Sequence, residues 1–147
     1  MTSSSPGKAV AVVILRSDPD GLRTLMVKRA AHIRAAGYWT PVTGKLEAGE
    51  DHITGGLREV HEEVGIDVRM GEPCFSCPTH DGRYQLQWWT AYLEAPEQML
   101  RLQPEEVAEA RWLTLDQALT LDPMFVDTAE GLHAAFRHAV QRLTEPV

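Results

Sequence analysis

The sequence predicts an α/β domain in which strands and helices interleave along 147 residues. Three observations carry this: two aliphatic runs near the N-terminus separated by a short turn, one strongly periodic helical stretch mid-chain, and an amphipathic stretch near the C-terminal end. The length fits a single unit over residues 1–147, with a core from about 9 to 143, which buries roughly 70% of the surface exposed by the unfolded chain.

Val10 to Leu15 is a β-branched and aliphatic run bounded by Ser17-Asp18-Pro19-Asp20-Gly21, residues that favour turns. It reads as a strand, and Leu25 to Lys28 as its antiparallel partner, because the connection is so short. An Ala-rich loop follows. Tyr38 to Gly44 reads as a short extended segment, since Pro41 disfavours helix for the residue before it. Between Asp51 and Val64 the apolar residues Ile53, Leu57, Val60 and Val64 mark one helical face. Asp51 is suited to cap its start and Gly65 to cap its end. Gly55 and Gly56 cost such a helix about 1 kcal/mol each relative to Ala, so a packing reason or a local weakness is expected. Tyr84 to Leu93 reads as a central strand, Ala110 to Leu113 as a shorter one and Asp116 to Leu121 as a short helix. Leu132, Ala135, Phe136, Ala139, Val140 and Leu143 form the apolar face of a helix over Thr128 to Leu143.

Composition excludes more than it assigns. Apolar residues make up 44% and charged residues 24%, near the average for globular proteins. No apolar run approaches the ~20 residues of a membrane span, and Met1 to Lys8 lacks the apolar stretch of a secretory signal. Only Cys74 and Cys77 are present, so a disulfide scaffold is not expected and a cytoplasmic location is. The net charge of −7 argues against long nucleic acids and anionic membranes as partners. Any phosphate-bearing ligand would then need local cations or a metal.

The central helix has a second face. Glu59, Glu62 and Glu63 stand at i, i+3 and i+4, close enough for their carboxylates to converge. Like charges held together in a fold call for a cation, and oxygen donors suit Mg2+, Mn2+ or Ca2+ rather than zinc. On spacing alone, a solvated acidic face is the commoner outcome.

The surrounding run from Gly44 to Ile66, GKLEAGEDHITGGLREVHEEVGI, changes that balance. It resembles the Nudix box, matching at Gly44, Glu50, Arg58, Glu59, Val60, Glu62, Glu63, Gly65 and Ile66 with both spacers of the required length. The resemblance implies a mixed sheet sandwiched between helices (α/β/α), with a loop-helix-loop catalytic motif. It also implies an Mg2+-dependent hydrolase, with Mn2+ as a substitute, that cuts the phosphoanhydride link of a nucleoside diphosphate joined to another group. Glu59 and Glu63 would be the principal metal ligands, Glu62 a further ligand or base, and the Gly44 carbonyl a ligand from the loop. Arg58 and Glu50 resemble the family's supporting pair, in which a guanidinium holds the helix acids by charge-assisted hydrogen bonds. Such chemistry suits the site, because a cation lowers the charge barrier to attack on an anionic group and a carboxylate takes the proton of the attacking water.

Pro104 to Leu113 resembles the family's late acidic loop leading into a strand with Trp, and Glu106, six residues before Trp112, best matches a late ligand or base. Glu105 and Glu109 compete with it. Arg29, Lys45 and Arg83 are candidate phosphate-binding cations. Trp39-Thr40-Pro41, with Tyr84 placed 18 residues after Ile66, resembles diadenosine polyphosphate hydrolases. Trp39 with Val42-Thr43-Gly44 is equally similar to dihydroneopterin triphosphate pyrophosphatases and related nucleoside triphosphate hydrolases. The substrate expected is therefore a small nucleotide, with both subgroups open. Tyr38, Trp39, Trp88 and Trp89 are candidates for base stacking, although Trp88 and Trp89 must point to opposite sides of a strand. Cys74 and Cys77 with His80 fall short of a four-ligand zinc site and read as ordinary loop and core thiols. A domain that kept the fold as a nucleotide sensor is the rival reading, against which the intact acidic set argues. Dimers are common in the resembling family, and the terminal helix could supply a homodimer interface.

Overall fold

A twelve-residue strand, β1 (Gly7–Asp18), organises the sheet in the computed structural model, which describes residues 5–144. Residues 1–4, part of the segment read above as lacking a signal, lie outside the described residues. From Ala9 to Leu15 every β1 residue is buried, because both faces of the strand are covered, and this explains an unbroken aliphatic run where a half-exposed strand would alternate.

The remaining strands are β2 (Gly21–Arg29), β3 (Trp39–Thr40), β4 (Val42–Lys45), β5 (Val68–Pro78), β6 (Tyr84–Leu93) and β7 (Val107–Leu113). The sheet is mixed, in the order β3-β2-β1-β6-β5, with β4 on β1 and β7 on β2. β2 and β4 run antiparallel to β1 on successive stretches of it, and β6 runs parallel to it. The expected hairpin is present, turning through Pro19 and Asp20 into Gly21 at φ 127°, a backbone angle that suits glycine. β6 lies between β1 and β5, as expected of a central strand.

Helix α1 (His52–Val64) covers one face, and α2 (Leu115–Ala118) with α3 (Thr128–Thr144) the other. Val10, Val12 and Ile14 join Val60, Val64 and Ile66 in one core, while Ala11, Val13 and Leu15 join Leu132, Ala135 and Phe136 in the second. The α/β/α sandwich is thus observed. Trp88 packs in the α3-side core and Trp89 against the α1-side core, as strand alternation requires.

Three expectations need correction. Ile53 and Leu57, placed on the buried face of α1 by periodicity, are 45% and 38% exposed. The buried stripe runs instead through Gly55, Gly56, Val60, Glu63 and Val64. A Cβ at Gly55 would overlap Leu46 and come within 2.9 Å of Glu50 Oε1, and one at Gly56 would lie 2.6 Å from Met70 Cε. The glycines are therefore the close-contact side of the helix, which apolar counting misses because they carry no side chain. Val140 and Leu143 of α3 are likewise mostly exposed.

Second, Cys74 and Cys77 belong to β5 rather than to a loop. Pro73 and Pro78 are tolerated because β5 is an edge strand, with breaks of register on either side of Pro73. Cys77 is buried, and burial pushes the Cys74 thiol up to about 12, so neither is a ready nucleophile. Third, α2 is only Leu115–Ala118, begun by a capping box between Thr114 and Gln117. Among the described residues no helix is long and apolar enough to cross a membrane.

Candidate active site

The site grows from the ends of α1 and from the sheet edge beneath it. Asp51 Oδ1 accepts the Thr54 N–H at 2.8 Å, fixing the first turn. Gly65, at φ 70°, closes the last turn by donating its N–H to the Val60 and His61 carbonyls. Between these caps Arg58 acts as the hub. Its Nε and Nη2 grip both oxygens of Glu50 at 2.8 and 2.9 Å, and Nη1 donates to Glu59 Oε1 at 2.9 Å and Glu62 Oε2 at 3.1 Å. Nη2 also donates to the Lys45 carbonyl at 3.1 Å, tying α1 to the end of β4. This two-pronged grip holds Glu50 down at about 2, with the Glu47 N–H adding a second donor. Arg58 is correspondingly held well above its usual range, chiefly by Glu50.

Of the three helix acids, the structure brings two together. Glu63 is 6% exposed, and its carboxyl lies against that of Glu59, an arrangement that calls for a proton or a cation between them. Burial pushes Glu63 well above the carboxylate range, with the Glu59 contact and the charge of Glu106 adding to it and Arg29 opposing it. Burial also raises Glu59, against the pull of Glu63 and Arg58. Glu62, with a side chain 55% exposed, is more open to solvent and accepts from the same Arg58 Nη1 that serves Glu59.

The remaining expected residues divide by sheet face. Gly44 lies within β4 rather than in a loop, opposite Val10, and a Cβ there would overlap the Glu59 carboxyl. Arg29, at the end of β2, donates from Nε to the Arg34 carbonyl at 2.8 Å, and its charge opposes the rise at Glu63. The register sets Lys45 beside Ala9 and Tyr84 beside Gly7, on the α3 side of the sheet. There the Lys45 ammonium sits 5.1 Å from the centre of the Tyr84 ring. Trp39 is core on that same side, 5% exposed, with Lys28 and Arg111 over its ring. Of the competitors to Glu106, Glu109 is committed to an ion pair with Arg111.

Sequence reading offered Tyr38 for base stacking but not the column of rings it joins beside this end of the sheet. Tyr38 meets Phe125 at 4.6 Å between ring centres, and His80 stacks on Phe125 at 4.8 Å. The three come from separate loops, two of which Arg34 and Asp81 join at 2.8 Å. Tyr38 adjoins the cationic side of the site, because its carbonyl accepts the Arg29 N–H. No local pattern could have found this column, since its members meet only through the sheet.

Among the described residues no three His, Cys, Asp or Glu side chains form a ready cage for a metal. The residues nevertheless fit a divalent cation. Glu63 Oε2 is buried without a hydrogen-bond partner, the donors are all oxygen, and the Glu59–Glu63 pair needs either a proton or a cation between two carboxyls.

Comparison with known proteins gives consistent results. The family model described as NUDIX domain matches residues 6–136. The chain is 31% identical over 120 residues to the NAD-capped RNA hydrolase NudC of Deinococcus radiodurans, covering 82% of this chain and 42% of that one. It is 35% identical over 65 residues to the CTP pyrophosphohydrolase of Escherichia coli K12, covering 44% and 47%. The chain thus spans less than half the length of either relative. Among solved structures, a C. elegans Ap4A hydrolase binary complex superposes with a TM-score of 0.77 at 22% identity, covering 91% of this chain and 99% of that one, which shows a shared fold.

Proposed function

The chain belongs to the NUDIX domain family, and from that premise we propose that it is a divalent-cation-dependent pyrophosphohydrolase cleaving the phosphoanhydride bond of a nucleoside diphosphate linked to a further group. The observation that carries this reading is the buried Glu59–Glu63 pair with an unsatisfied oxygen, braced by an arginine that is itself gripped by Glu50. A structural acid pair would be expected to have its oxygens satisfied.

Glu59, Glu63 and the Gly44 backbone would hold Mg2+, with Mn2+ as a substitute, and Glu62, which shares the Arg58 Nη1 donor with Glu59, would be a further ligand or base. When bound, the cation supplies charge neutralisation and water activation. Arg58 keeps Glu59 oriented while Glu50 keeps Arg58 in place. Glu106, whose charge is felt by Glu63, is the candidate base for the attacking water. As the new P–O bond forms, the bridging P–O bond breaks and Arg29 faces the negative charge that develops. The base of the nucleotide would rest against the column of Tyr38, Phe125 and His80, since an aromatic face accepts any nucleobase.

The preferred substrate in this reading is a nucleoside triphosphate or related nucleotide. Dinucleoside polyphosphates are the second reading, favoured by the Lys45–Tyr84 contact, which offers a cation and a ring together. Incubating a panel of triphosphates, dinucleoside polyphosphates and nucleotide sugars with Mg2+ tests both, because the products identify the bond cut. Wild type should turn over at least one class, and Glu63→Gln should lose about 100-fold or more in kcat, in line with removal of a charge-stabilising group. Full activity in Glu63→Gln would sink the metal-site assignment. No turnover on any member would favour a sensing domain.

A further inference from the structure

We propose that the segment from Leu100 to Glu106 is a clip that fastens Glu106 to the last turn of α1, making the Gln103 backbone a positioning element for the site. The proposal rests on reading Glu59, Glu63 and Glu106 as one cation site. A helix end leaves four carbonyls without donors from its own turns. The cap residue Gly65 donates its N–H to the His61 carbonyl and also to that of Val60. The carbonyls of Val64 and Glu63 receive the Arg101 N–H at 2.8 Å and the Gln103 N–H at 2.9 Å. The backbone of an acid in the buried pair is therefore itself the anchor.

Beyond the anchor the chain turns tightly. The Glu106 and Val107 N–H groups both donate to the Gln103 carbonyl, at 3.0 and 2.8 Å, and the Glu106 carbonyl accepts from Ala30 at 2.9 Å, beside Arg29. Glu106 is thus tied to α1 through Gln103 and to β2 through Ala30. Leu100 and Leu102 pack on the α1-side core and hold the segment down. Gly65 admits the clip, because a Cβ there would stand 2.7 Å from Arg101 Cβ and 3.0 Å from its carbonyl oxygen. The glycine that caps the acid helix therefore also makes room for the strap carrying the third acid.

Calorimetric titration with Mn2+ tests the clip through a mutant cycle. Glu106→Gln and Gln103→Pro, which removes the anchoring N–H, should each weaken binding about tenfold or more. The double variant should bind no more weakly than Glu106→Gln, because the clip acts through Glu106. Glu105→Gln, at the adjacent acid outside the hydrogen bonds that tie Glu106 to Gln103 and Ala30, should bind as wild type. Losses that multiply in the double variant, or wild-type affinity in Gln103→Pro, would overturn the proposal. If Gln103→Pro does not fold, Gly65→Ala breaks the clip from the helix side and enters the same cycle. Amide exchange in the wild type reads the clip without metal: the Arg101 and Gln103 amides should be protected like those of the last α1 turn, and unprotected exchange there refutes it. Wild type that takes up no Mn2+, or Glu63→Gln that binds it normally, refutes the cation site itself even where exchange shows the clip intact.

Discussion

Glu63 places a titratable group where solvent cannot stabilise its charge, so its protonation is coupled to folding. Its carboxyl holds the proton to higher pH in the fold than in the unfolded chain, whose value is near 4.5. As pH rises, the unfolded state loses this proton first. The stability associated with Glu63 is therefore fully present below the unfolded value and lost as pH climbs through the folded one. Urea midpoints in chelator should fall as pH rises above the unfolded value near 4.5, and Glu63→Gln should flatten part of that slope. An unchanged slope in the variant would mean that Glu63 is not the buried acid described. Arg58 poses the opposite question, of geometry at constant charge. Its fork serves Glu50 by two bonds and Glu59 by a third, which a lysine ammonium cannot reproduce. Arg58→Lys should therefore lower kcat about tenfold or more while leaving the KM for nucleotide nearly unchanged, read from steady-state kinetics.

At the scale of elements, α1 shows how far local pattern reaches. Its existence, its Asp51 cap and its Gly65 terminus were all legible, because capping and periodicity act within a few residues. Its rotation was not, because Gly55 and Gly56 bring the helix against Leu46 and Met70, a contact across the chain. The two glycines should respond differently to alanine. At Gly56 the nearest atom is the flexible tip of Met70, so clash and the gain of about 1 kcal/mol in helix propensity oppose each other. At Gly55 the added methyl presses on Glu50, which Arg58 holds. Gly55→Ala should lower kcat more than Gly56→Ala does at comparable thermal midpoints, and equal effects would argue against a Glu50 role in bracing the site. β5 escaped sequence reading for a related reason. Its prolines signal a loop locally, and only its position at the sheet edge makes them acceptable in a strand.

Across the whole molecule, the sheet brings together groups on its two sides at one end, acids beneath α1 and rings on the loops near α3. Binding confined to the folded state raises stability by about 2.7 kcal/mol at a hundred times Kd. Saturating Mn2+ should accordingly raise the thermal midpoint of wild type and not of Glu63→Gln. The ring column predicts a separation in kinetics: Phe125→Ala should raise KM for nucleotides several-fold while Mn2+ affinity stays at the wild-type level. A change in Mn2+ affinity would place Phe125 in the fold of the metal side rather than at the base. The sequence by itself determined the acid helix, its caps, the order of charged residues on it and the first hairpin, since each depends on neighbours within a turn or two of chain. Only the tertiary structure decided that Glu63 pairs with Glu59 and not with Glu62, that Trp39 is core and that Tyr38, Phe125 and His80 meet. Those outcomes depend on helix rotation and strand register, which long-range packing sets and no local spacing records.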